Sequence, residues 1–148
     1  MIEESYFKPI GYIRTYADEE QIRKDRKSVL SDIIILEELT EALDGIEDFS
    51  HLFIIFHIHK ASTDQLNLKV HTKGRLDLPL VGLFATRSPY RPNPVGLTLV
   101  ELIKRKENVI KVRGLDAIDG TPVIDIKPYD PLDSAKETRV PDWWIRPT

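Results

Sequence analysis

The segment that most restricts how this chain can fold is Leu83-Phe-Ala-Thr-Arg-Ser-Pro-Tyr-Arg-Pro-Asn-Pro-Val-Gly-Leu97, where Pro89, Pro92 and Pro94 fall within six residues. Each proline fixes φ and removes a backbone donor, so the segment can be neither helix interior nor central strand. It reads as an extended loop between two apolar, strand-like runs. Arg87, Arg91 and Asn93 are displayed on it at set spacings. Ordering a flexible loop costs on the order of 1 kcal/mol or more per residue, and prolines remove part of that cost by restricting the unfolded chain. Such pre-ordering suits an anion-reading site. It also suits a plain rigid crossover, since proline-rich connections are common and arginines are ordinary surface residues.

Residues 81–85 and 96–102 flank the loop as strands, and the second is expected to pair with residues 109–115 through a turn near Lys106-Glu-Asn108. Residues 5–16 are β-rich. Residues 17–28 turn strongly charged without an apolar stripe and read as a mobile excursion. A short strand over 32–36 leads into Leu39 and Leu43 at helical spacing, with Gly45 as the stop, which gives one short helix. Residues 49–59 form an aromatic strand on which His57 and His59 share a face. Residues 123–129 form a further strand that Pro128 helps to end. About seven strands, one short helix, a long N-terminal loop excursion and no repeated βαβ unit predict a mainly β chain, a small closed or nearly closed barrel.

At 148 residues the chain suits one domain, with residues 131–148 as a C-terminal tail. No run approaches the ~20 apolar residues of a membrane span, and Glu3 and Glu4 stand where a signal peptide would be basic, so a soluble, cytoplasmic protein is expected. The absence of cysteine excludes disulfides and thiolate chemistry. A formal net charge of −3 argues against nucleic-acid binding by a global positive field, though not by a local patch. Lys69, His71, Lys73 and Arg75 could be such a patch, or the polar face of an edge strand.

His57, His59 and His71 could converge on a metal, but no acidic ligand is evident, and strand histidines more often satisfy local hydrogen bonds. Asp116 and Asp119 bracket a turn before Gly120, where carboxylates usually accept backbone N–H bonds. Trp143 and Trp144 suit either a stacked nucleobase or a subunit contact. P-loop, GxGxxG, HExxH and GxSxG signatures are all absent.

Three longer motifs add more: Gly45-Ile-Glu-Asp-Phe-Ser-His-Leu52, residues 81–96 containing the proline loop, and Asp119-Gly-Thr-Pro-Val-Ile-Asp-Ile-Lys-Pro-Tyr129. Together, and in this order, they resemble the TsaA/TrmO-like family over roughly residues 7–131. The resemblance implies a small β-barrel that binds S-adenosylmethionine (SAM), needs no metal, acts as a homodimer and N6-methylates threonylcarbamoyl-adenosine beside the tRNA anticodon. It also implies cofactor contacts at His59, Lys60, Arg87, Leu97, Asp116, Ala117, Ile118, Asp119 and Gly120. Asp116 or Asp119 would serve as proton acceptor, and Arg91, Asn93 and Tyr129 would face RNA or the partner subunit. A non-catalytic SAM- or nucleotide-binding protein on the same scaffold is the alternative. It is motivated by Ile22-Arg-Lys24, which stands where family members carry a Pro-Arg-Gln stretch that helps close the cofactor pocket.

Overall fold

A computed structural model describes residues 1–144. The chain divides into two compact units, Met1–Lys60 with Val95–Tyr129, and Ala61–Pro94 with Asp130–Thr148. The last four residues of the expected 131–148 tail lie outside the described residues. Eight strands form among those described: β1 (Gly11–Arg14), β2 (Leu30–Ile35), β3 (His51–His57), β4 (Lys69–His71), β5 (Leu80–Gly82), β6 (Val95–Lys106), β7 (Val109–Arg113) and β8 (Pro122–Pro128).

The first unit is a closed barrel in the order β1-β2-β7-β6-β3-β8, with every pairing antiparallel and β8 returning to β1. Alternation drives the closure. Ile13, Ile33, Ile35, Leu52, Ile54, Phe56, Val100, Ile110, Val112 and Val123 occupy every second position of their strands and are buried together. Fully burying one such side chain contributes roughly 1.5–3 kcal/mol, and closing the sheet removes its unpaired edges. The β6–β7 hairpin turns through Glu107, which holds φ 55°, and Asn108, whose side-chain amide donates to the Ile35 carbonyl at 2.7 Å. Gly96, at the end of the proline motif, lies under the Phe56 ring. A Cβ there would sit 2.4 Å from ring carbons.

Four expectations change in detail. The barrel has six strands, and the remaining two pair separately as β4–β5. The charged segment contains the one α-helix among the described residues, α1 (Glu19–Asp25), because Asp18 and Gln21 form a reciprocal capping box and Ile22 alone needs burying. The leucine-spaced run over Glu37–Leu43 winds as a 3₁₀ helix instead, followed by Gly45 at φ 88°. Strand β3 ends at His57, so His57 and His59 share no strand face.

The second unit has little regular structure. Its two three-residue strands pair Lys69 with Gly82, Val70 with Val81 and His71 with Leu80. Thr72, Leu78, Leu83 and Thr86 are buried. Among the described residues no helix is long and apolar enough to cross a membrane.

Candidate site at one end of the barrel

Strand direction decides which candidate residues meet. The C-terminal ends of β1, β3 and β7 and the N-terminal ends of β2, β6 and β8 share one end of the barrel. His59 and Lys60 follow β3 there, Leu97 opens β6 opposite Ile55, and residues 116–120 join β7 to β8. Tyr129 follows β8 at the other end, with its ring edge-on to Phe53 at 5.6 Å and its N–H donating to the His51 carbonyl at 3.1 Å. The length of β3, roughly 20 Å at about 3.4 Å per residue, separates it from His59.

The connection after β7 alternates. Leu115 and Ala117 are buried, and Asp116 between them is exposed. The Asp116 carboxylate accepts the Thr98 hydroxyl on one oxygen and Arg26 Nη1, at 3.1 Å, on the other. Asp119 does what turn carboxylates usually do: its Oδ1 accepts the Thr15 backbone N–H at 2.9 Å. Gly120, at φ 81°, donates its N–H to the Ile13 carbonyl at 2.7 Å, and the Thr121 hydroxyl donates to the Ile118 carbonyl at 2.7 Å. Residues 118–121 are therefore tied to β1, and Asp116 projects from the turn held by two side chains. His59 Nδ1 is buried with no hydrogen-bond partner. Leaving such an atom unpaired costs about 1–3 kcal/mol.

In the proline loop the two arginines behave differently. Arg91 folds back: its Nη1 donates to the carbonyls of Thr86 (2.7 Å) and Ser88 (3.2 Å), and its guanidinium stands 5.7 Å from the Phe84 ring centre. Arg87 is exposed, makes no hydrogen bond among the described residues, and stands 5.8 Å from the Trp144 ring centre. Trp144 meets Trp143 edge-on at 5.9 Å. Asn93 is exposed. His71 Nδ1 lies 2.8 Å from the Leu78 carbonyl, and no cluster of three metal-ligating side chains forms among the described residues.

Two residues went unnoticed in the sequence. Thr98 had a signal, since it is a hydroxyl at an inward position between Gly96 and Val100. Arg26 had none, being one cation among many in its segment.

Fold and site define a small antiparallel barrel with a carboxylate-bearing turn and a half-buried histidine at one end. Residues 16–134 match the family of the tRNA-methyltransferase O N-terminal domain, and the chain belongs to it. It is 37% identical over 135 residues to a probable S-adenosyl-L-methionine-binding protein of Pyrococcus abyssi, covering 88% of this chain and 71% of that one. It is 48% identical over 89 residues to the mouse tRNA (adenine(37)-N6)-methyltransferase, covering 60% of this chain and 20% of that protein. A crystal structure of TrmO superposes with a TM-score of 0.75 at 32% identity, over 93% of this chain and 64% of that one.

Proposed function

We propose that the chain is a SAM-dependent methyltransferase that N6-methylates adenosine, or threonylcarbamoyl-adenosine, next to the tRNA anticodon. The observation that carries this reading is the family match over residues 16–134, which includes every candidate contact from His59 to Tyr129. The residues at the barrel end suit the cofactor. His59 Nδ1 lacks a partner, Asp116 and Asp119 offer acceptors for amino and hydroxyl donors, and Leu97, 65% exposed, offers apolar surface.

SAM supplies an electrophilic methyl group on its sulfonium. Thr98 and Arg26 fix the direction in which Asp116 faces a bound ligand, so less orientation remains to be paid for at the moment of reaction. Arg87, free of protein hydrogen bonds among the described residues, pairs with a carboxylate through its planar fork. An exocyclic amine sheds a proton on methylation, and Asp116 or Asp119 accepts it. Arg91 contributes by holding the loop rather than by touching substrate. The protein works as a homodimer, which sedimentation measures directly.

Calorimetric titration with SAM tests the reading. At a hundred times the dissociation constant, SAM should add about 2.7 kcal/mol of stability, and absence of binding contradicts it. The second reading, cofactor binding without methyl transfer, is motivated by the archaeal relatives, which are named only as SAM-binding proteins. Saturable SAM binding with no labelled tRNA would favour it.

A further inference from the structure

We propose that the outer wall of β2, β7 and β6 is an RNA-docking surface that grips the phosphodiester backbone with lysines. This rests on the reading of the protein as a tRNA-modifying enzyme.

The registers align side chains across four strands. One outward row runs Arg14, Asp32, Lys111, Lys104 from β1 to β6, and the next runs Tyr12, Ile34, Val109, Lys106. The bulge at Ile103 makes this possible. It shifts the register between Leu102 and Lys104, so that Lys104 and Lys106 both point outward, opposite Lys111 and Val109. A shallow cavity of about 230 Å³ lies on this wall, lined by Asp32, Lys104, Lys106, Glu107, Val109 and Lys111.

The charge is local and uncompensated. Residues 101–113 hold five basic and two acidic side chains in a chain of formal net charge −3. Arg105 is engaged by Asp44 and Glu47, and Arg113 by Glu101. Lys104, Lys106 and Lys111 have no carboxylate within ion-pair distance among the described residues, and Asp32 is shared with Arg14 at 3.9 Å. Lys104 and Lys111 stand directly opposite each other, where like charges destabilise a sheet. A repulsive lysine pair fits a polyanion, whose phosphates neutralise both charges. Along β6 the lysines lie roughly 23–30 Å from Leu97, a separation that a folded RNA spans while presenting one nucleotide to the site.

The test uses the full chain and unmodified tRNA, with affinity followed across a salt series and SAM affinity measured beside it. The triple change Lys104→Gln, Lys106→Gln, Lys111→Gln should lower tRNA affinity at least about tenfold and reduce the salt slope by about two to three. SAM affinity should not move in this variant. Lys104→Gln alone should raise the melting temperature of the free protein, since it relieves the lysine pair. Unchanged tRNA affinity and slope in the triple variant would overturn the proposal, as would binding of polyglutamate but not tRNA by the parent protein. Slope-dependent tRNA binding without methyl transfer would sustain the surface and remove the proposed activity.

Discussion

The barrel and the unit containing the proline loop are held together by different means. In the barrel, ten alternating apolar side chains close a continuous antiparallel ladder. The second unit pairs two three-residue strands and relies on turns, prolines and local polar bonds such as Arg91 to Thr86 and His71 to Leu78. A region with few buried apolar contacts opens locally at low free energy, and ligand-binding segments are drawn from that end of the range. The barrel thus acts as a rigid frame for the Asp116 turn. The loop trades packing stability for pre-set backbone geometry and leaves Arg87 uncommitted.

The contrast breaks most readily in the core. Ile54→Ala should cost about 2–5 kcal/mol in urea unfolding, because the fully buried β3 site cannot collapse around the void. A loss below about 1 kcal/mol would mean that the barrel is no stiffer than the loop unit. Arg87→Ala should weaken SAM binding by about 1.5–3 kcal/mol, with Lys69→Ala near the parent value by calorimetry. Equal affinities would detach the loop from cofactor binding. Gly96→Ala should cost about 1–3 kcal/mol in thermal unfolding, since the new methyl displaces the Phe56 ring. Wild-type stability would show that this end of the barrel gives way easily. Asp119→Ala should cost about 1 kcal/mol by stranding the Thr15 N–H, whereas Asp116→Ala should act mainly on SAM affinity.

The smallest effect concerns pH in the second unit. Hydrogen bonds from Arg75 hold the Asp77 carboxyl below its ordinary value. The pair therefore stabilises above the unfolded value of about 4, and that contribution fades as pH falls through the lowered folded value. Asp77→Asn should melt slightly below the parent at neutral pH and match it in strong acid. A gap that persists in acid would assign Asp77 a role other than its charge.

What the sequence revealed follows the same division. The barrel strands were legible as apolar, β-branched or aromatic runs such as residues 49–59, and the β6–β7 turn was marked by Lys106-Glu-Asn108. Strand order was not legible, since closure between β1 and β8 joins residues more than a hundred positions apart. Helix α1 was missed because one buried isoleucine makes no stripe, and the Asp18–Gln21 box outweighs that. The proline loop was read as rigid from composition alone. The division of labour between its arginines was not, because it depends on which carbonyls the folded loop turns toward Arg91. The Asp119 turn bond was the ordinary expectation for such a residue, whereas the Thr98 and Arg26 contacts to Asp116 depend on pairing that no local pattern encodes.

The most direct measurement is transfer of a labelled methyl group from SAM to tRNA, with the parent protein and Asp116→Ala side by side and the labelled nucleoside identified after digestion. Label on N6 of the adenosine beside the anticodon, reduced at least about tenfold in Asp116→Ala, is the expected result. SAM binding with no label on any tRNA, modified or unmodified, would contradict the proposed activity.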